Sequence, residues 1–295
     1  MRTGLMKTLA PWIFVGPAVV AVIVFLYGPM IASLVLSFLD WNLLSPDVGF
    51  AGTRHYQAVA ASHDFRLSAW NTLLYCLVLI PAQILLPLGF ALMIHGVRGS
   101  RMGPIYRGAL FLPTIVAYSV AGVAWSWLLN PVNGLFNEVL SALGLPRSRW
   151  HTDPQLALLC VSLVTFWKSF GLNMLLWLAA LTTVPQSLIE AARLDGARPR
   201  RIFFNITLPL ISPTAFFIAV TTLFSVLDDI VGVVDVLTGG GPAGSSSNLL
   251  YYLWQQGLGF FQFGQASAVA MILIVAVLLV TWAQFALVER KVHYE

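Results

Sequence analysis

The sequence predicts an all-α, polytopic membrane protein with six transmembrane helices and one charged loop between the fourth and the fifth. Three observations predict it: an apolar composition, a series of charge-free intervals long enough to span a bilayer, and an uneven placement of basic residues. Of the 295 residues, 58% are hydrophobic and 9% charged, with a mean hydropathy of +0.83, whereas soluble domains carry about 25% charged residues. Spans of about 20 residues each fill most of such a chain, so residues 1–295 read as a single transmembrane domain with little room for another.

The spans follow from the charge-free intervals in order. Lys7 and Asp40 enclose the first, Arg66 and Arg98 the second, and Arg107 and Glu138 the third. The fourth, 154–189, is broken only by Lys168; 202–227 is clean, and 236–288 holds a loop followed by a helix. The expected spans are roughly 11–39, 69–95, 106–130, 155–184, 207–234 and 265–288. Pro17, Pro29, Pro81, Pro87 and Gly89 fall inside them, as membrane bundles tolerate. The first run is too long for a signal-peptide core and is followed by five more spans, so it is read as a retained helix.

Basic residues set the orientation. With a cytoplasmic N-terminus, Arg2, Lys7, Arg98, Arg101, Arg107, Arg193, Arg198, Arg200, Arg201, Arg290 and Lys291 lie inside, and Arg54, Arg66, Arg147 and Arg149 outside. That is a positive-inside bias, and six spans return the C-terminus to the cytoplasm. The net charge of +4 then reflects topology rather than nucleic-acid binding. The outer segments become 40–68, 131–154 and 236–263, with Trp41, Trp70, Trp150, Tyr251, Tyr252 and Trp254 near their edges as interfacial anchors. Cys76 and Cys160 sit inside apolar runs, where neither a disulfide nor a metal site is expected.

The stretch SLIEAARLDGARPRRIFFNITLPLISP, Ser187 to Pro213, interrupts this pattern on the inner side. Ser187 and Glu190 have the spacing of a capping box, Gly196 supplies a left-handed stop, and Pro199 suits the first turn of a second helix. Pro209 is expected to open the fifth span. Two short helices at a bend, lying at the membrane surface, are therefore predicted. An amphipathic surface helix on anionic lipid would share the composition, but not the fixed spacing that follows.

Glu190-Ala191-Ala192, three residues, Gly196, nine residues, Ile206, one residue and Leu208-Pro209 resembles the EAA signature of permease subunits in binding-protein-dependent ABC importers. FWKSFGLNMLLWLAALTTVPQSLIEAARLDGA and LDDIVGVVDVLTGGGPAGSSSNLLYYLW are similar to the sugar-type members, as is LFLPTIVAYSVAGVAWSWLLNPVNGLFN in the third span. More narrowly, that span, the Lys168 neighbourhood and the tail FALVERKVHYE resemble permeases of glycerol-3-phosphate and glycerophosphodiester importers.

The resemblance implies a type I ABC importer permease fold whose cytoplasmic loop, 187–208, docks its coupling helices on an ATPase. Glu190, Ala191, Ala192, Asp195, Gly196, Arg198, Arg200 and Arg201 are the expected coupling residues. It also implies a second homologous permease, a pair of ATPase subunits that bind ATP and Mg, an extracytoplasmic substrate-binding protein, and a bacterial inner membrane. This chain is expected to hold no cofactor and to be no enzyme. LTGGGPAGSSS has no GK[ST], falls outside and reads as a flexible turn; the five histidines have no ligand spacing, and no nucleophile elbow or carboxylate pair suggests catalysis.

Charged residues within spans usually face a cavity or a partner, which selects Lys168 and one of the adjacent Asp228 and Asp229, with Asp228 preferred. Lys168 could meet a phosphate or polyol, snorkel, or bond a carbonyl. Asn71, Asn173, Trp125 and Trp127 are further substrate-path candidates, although polar residues also join helices and aromatics also pack. The expected solute is glycerol-3-phosphate or a glycerophosphodiester such as glycerophosphocholine, and an oligosaccharide such as trehalose or maltose is the alternative. A proton-coupled secondary transporter relaying through Lys168 and Asp228 would not need the spaced loop signature.

Overall fold

A computed structural model describes residues 14–42, 46–96 and 103–288. Arg2, Lys7, Arg98, Arg101, Arg290 and Lys291, on which much of the expected charge bias rests, lie outside the described residues. Five helices among them are long and apolar enough to cross a membrane, and a bent pair makes a possible sixth. The chain divides into two compact units: the residues up to Ser62 with Leu253–Ala276, and His63–Tyr252 with the residues from Val277 on.

The first unit begins with α1 (Phe14–Leu36), which passes through a π turn at Ile23–Tyr27 before Pro29. Such a turn gives proline room where a regular turn would clash. A short antiparallel pair, β1 (Leu39–Asp40) with β2 (Gly49–Phe50), leads into α2 (Arg54–Ala61). Ser37 and Tyr56 share a hydroxyl–hydroxyl hydrogen bond of 2.8 Å, and Arg54 pairs with Asp40.

The second unit is built on α3 (His63–Gly96), the broken pair α4 (Gly103–Ile115) and α5 (Tyr118–Leu128), α6 (Leu135–Ala142) and α7 (Ala157–Thr183). These are followed by α8 (Gln186–Leu194), α9 (Pro199–Ile202), α10 (Leu208–Leu227), α11 (Ile230–Leu237) and α12 (Leu249–Trp254). The last helix, α13 (Phe263–Val288), runs from the first unit into the second.

Two apolar clusters hold the second unit together. One gathers Tyr75, Leu79, Trp125, Leu129, Val161, Val164, Val226 and Ile230; the other gathers Leu88, Met174, Trp177, Leu181, Ile211 and Ile218. Close backbone approach makes this packing possible. A Cβ on Gly171 would lie 2.0 Å from the Leu110 carbonyl oxygen, so α4 and α7 touch through a residue with no side chain. Gly171→Ala is therefore expected to force the helices apart and destabilise the unit by about 1–3 kcal/mol, read as a lower Tm of the purified protein. Gly89→Ala, where nothing lies within 4 Å, serves as the neutral control; equal Tm values for the two variants would contradict the contact.

The interval expected to hold one straight span at 106–130 is instead two helices bent by 102°. Pro113 lies in the last turn of α4, and Ala117 is extended (φ −63°, ψ 147°) before α5 restarts. Lys168 closes this break from α7. Its Nζ donates to the Thr114 carbonyl (3.1 Å), its own carbonyl accepts from Thr114 Oγ1 (3.0 Å), and the ammonium sits 3.9 Å over the Tyr118 ring. A backbone break at membrane depth needs internal partners, and a cation at the C-terminal end of α4 also interacts favourably with the negative end of the helix dipole.

The loop 238–248, expected on the outer side, is not the flexible turn its glycines suggest. Asn71 Nδ2 donates to the carbonyls of Gly244 (2.8 Å) and Ser247 (3.0 Å), and Tyr75 Oη donates to that of Ser246 (2.8 Å). Asn248 Nδ2 donates to the Val226 carbonyl (2.9 Å) at the end of α10. Tyr251 and Tyr252, expected at the interface, are buried; Trp70 and Trp254 are exposed. The difference arises because the loop folds onto α3 and draws both tyrosines in with it.

Candidate functional site

Between the two apolar clusters lies a polar layer. α3 supplies Gln83 below Leu79; α7 supplies Thr165, Ser169 and Asn173; α10 supplies Thr221, Thr222 and Ser225, with Asp229 just beyond its end; and Tyr118 opens α5. Together they line a cavity of about 130 Å³. The α7 residues sit at i, i+4 and i+8 and so share one face, about 12 to 24 Å along the helix from Ala157. That is mid-depth in a 27-residue helix.

The chemistry of the layer is hydroxyls, amides and one carboxylate. Asn173 Nδ2 donates to Gln83 Oε1 at 2.7 Å, which fixes both amides. Tyr118 Oη lies 3.3 Å from Ser169 Oγ and 3.5 Å from Ser225 Oγ. Thr165 Oγ1 donates back to the Val161 carbonyl, leaving an acceptor toward the cavity. Such a lining exchanges hydrogen bonds with hydroxyl-rich solutes, and no cation lines it among the described residues.

Of the six substrate-path candidates, Asn173 alone lines this cavity. Lys168 is buried and committed to the break between α4 and α5. Asn71 ties down the loop 238–248. Trp125 stacks on Phe136 and against Trp167 inside the apolar core, while Trp127 is 77% exposed on the outside of the unit. The helix ends at Leu227, and its interruption at Asp228–Asp229 turns Asp229, rather than Asp228, toward the cavity. Gln83, Tyr118, Ser169 and Ser225 were not selected from sequence; the stripes Thr165/Ser169/Asn173 and Thr221/Ser225/Asp229 are the signal for the two serines, and Gln83 and Tyr118 carry no such pattern.

The charged loop departs from the expected capping but keeps its stop. α8 starts at Gln186 with Pro185 as N-cap and no side-chain cap, so Ser187 and Glu190 form no capping box: the helix starts two residues earlier than the box requires. At the other end Gly196 has φ +74°. Its N–H donates to the Arg193 carbonyl (3.0 Å) and that of Ala197 to the Ala192 carbonyl (2.9 Å), the two bonds of a Schellman stop. Pro199 opens α9 as expected, but α9 runs through a π turn at Phe203–Thr207 straight into α10. Pro209 therefore lies within a continuous helix, made possible by that turn, rather than opening a separate span.

No side chain of α8 is buried. Glu190, Ala191, Asp195, Gly196, Arg198, Arg200 and Arg201 are exposed and Ala192 is half-buried, while Leu194 at the tip is 89% exposed.

Residues 58–293 match the family described as binding-protein-dependent transport system inner membrane component. The chain belongs to that family. The permease is 34% identical over 295 residues, 100% of its own length and 99% of the relative's, to the sn-glycerol-3-phosphate transport system permease protein UgpA of Yersinia enterocolitica. It is 33% identical over 290 residues, 96% of each chain, to the protein of that name from Rhizobium meliloti. Among solved structures it is similar in fold to a chain of a bacterial alginate ABC transporter crystallised with an alginate pentasaccharide-bound periplasmic protein, at TM-score 0.84 and 23% identity over 97% of both chains. A chain of the MetNI methionine ABC transporter aligns at TM-score 0.55 and 20% identity over 77% of the permease. It is thus an all-α, multi-pass inner-membrane permease of the ABC importer type.

Proposed function

We propose that this permease is one half of the membrane pathway of an ATP-driven importer for glycerol-3-phosphate or a glycerophosphodiester such as glycerophosphocholine. A second, homologous permease completes the pathway, two copies of an ATPase bind ATP and Mg, and an extracytoplasmic binding protein delivers the solute; both termini face the cytoplasm. The full-length identity to permeases named for sn-glycerol-3-phosphate transport carries the substrate assignment. α8, the Gly196 stop and the α9 arginines form the coupling element, which moves the helices joined to it when the ATPase closes.

The polar layer is where the solute passes. Its hydroxyls and amides match glycerol hydroxyls, and the phosphate charge is met outside this lining, which holds no cation among the described residues. The same lining is the observation that favours an oligosaccharide as the second reading. Ser225→Leu is expected to place a bulky group in the cavity and lower uptake about tenfold, equivalent to about 1.4 kcal/mol, without changing the amount of permease in the membrane. Uptake unchanged in this variant would place the path elsewhere.

Uptake of labelled glycerol-3-phosphate into proteoliposomes tests the driving force. The proposal expects it to require internal ATP and external binding protein and to survive a protonophore. Uptake that collapses with the protonophore and persists without the ATPase would establish a secondary transporter instead.

A further inference from the structure

A second cavity, of about 220 Å³, opens between α3, α4 and α7 and is lined by His95, Arg107, Leu175, Leu178, Ala179 and Thr182. His95 is in the last turn of α3, Arg107 in the second turn of α4 and Thr182 in the last turn of α7, immediately before α8. The cavity is therefore at the end of the bundle that carries the charged loop, away from the polar layer. We propose that it binds the phosphate of an anionic phospholipid headgroup, with the acyl chains running along the leucine wall.

Charge is the first argument. Arg107 makes no hydrogen bond or ion pair among the described residues. The helices around it offer no counter-ion: the chain has no Asp or Glu between Asp64 and Glu138, and none from Ala157 to Thr183. Arg98 and Arg101, in the connection between α3 and α4, add to the same sign in sequence. A guanidinium beside an imidazole, next to a low-dielectric wall, attracts an anion rather than a neutral polar group, and the planar fork of arginine fits two phosphate oxygens at once.

Shape is the second. Arg107 and His95 form the polar side, and Leu175, Leu178 and Ala179 the apolar side. Thr182 Oγ1 already donates to the Ala179 carbonyl (2.6 Å), so the donors available to a phosphate are those of the Arg107 guanidinium. A free phosphate would leave the leucine wall in water; a headgroup with its chains covers both sides. Basic pockets between helices at the inner membrane surface take phospholipid headgroups for the same reason.

Native mass spectrometry of the full transporter released from mixed phosphatidylglycerol and phosphatidylcholine nanodiscs tests the site. The proposal expects retained phosphatidylglycerol on the wild type, about tenfold less on Arg107→Gln, and a similar loss on Ala179→Phe, which fills the apolar side but keeps the arginine. Arg147→Gln, a residue already paired with Glu138 (2.9 Å) in an outer loop, is expected to retain lipid as the wild type does. Retention unchanged in both pocket variants would overturn the proposal. So would displacement of the lipid signal by millimolar inorganic phosphate, which would assign the pocket to a free anion.

Discussion

Gly196→Pro is expected to leave the permease inserted and folded while lowering substrate-stimulated ATP hydrolysis and uptake at least tenfold. Gly196 holds φ +74°, and proline is locked near −65° and has no N–H to give Arg193. The stop between α8 and α9 would open by several residues, and the exposed loop would no longer present Glu190, Leu194 and the arginines in one arrangement. Nothing on α8 is buried, so the bundle does not depend on this geometry; a docked partner would. Gly196→Ala, at a cost of about 1–2 kcal/mol for the left-handed conformation, is expected to fall between, and Glu190→Lys to weaken ATPase association by reversing a charge without bending the backbone. Wild-type transport in Gly196→Pro would remove the loop from the coupling role.

Lys168→Ala is expected to reduce the amount of folded permease and to lower transport of phosphate-bearing and neutral solutes by the same factor. The substitution strips the Thr114 carbonyl of its donor at the break between α4 and α5, at about 1–3 kcal/mol for a buried polar group left unsatisfied, and removes the cation from the Tyr118 ring, worth about 0.5–2 kcal/mol. Both losses fall on the geometry that places Tyr118 in the cavity. Uptake of glycerophosphocholine and trehalose by matched amounts of protein separates the outcomes. Loss confined to the phosphodiester would mean that Lys168 reaches the solute.

The contrast between these two positions shows what could be read from the chain alone. The loop signature is a string of fixed offsets, and Gly196 and Pro199 adopt the backbone they require whatever surrounds them. Lys168 stood out for its charge, but its role depends on Thr114 and Tyr118, 54 and 50 residues away on a span whose break no local pattern announces. Pro113 alone is a weak signal, since Pro81 and Pro87 lie inside an unbroken α3. The surroundings of Asn71 and Trp125 were hidden for a related reason: their partners are the loop 238–248 and Phe136, brought to them by tertiary packing. The polar stripes on α7 and α10 were legible in principle, yet each serine or threonine can satisfy itself on its own helix, as Thr165 does on Val161, so singly they carry no sign of a cavity. Asp229 rather than Asp228 faces the cavity because α10 ends at Leu227 and the chain turns before α11, where Asn248 also bonds the Val226 carbonyl.

The most direct measurement is ATP hydrolysis by the permease reconstituted with its partner permease, ATPase and binding protein, the last loaded with glycerophosphocholine or with trehalose. Hydrolysis stimulated by the phosphodiester-loaded protein, and abolished by Gly196→Pro, is the predicted result; hydrolysis indifferent to the loaded binding protein and to the state of the loop would contradict the account.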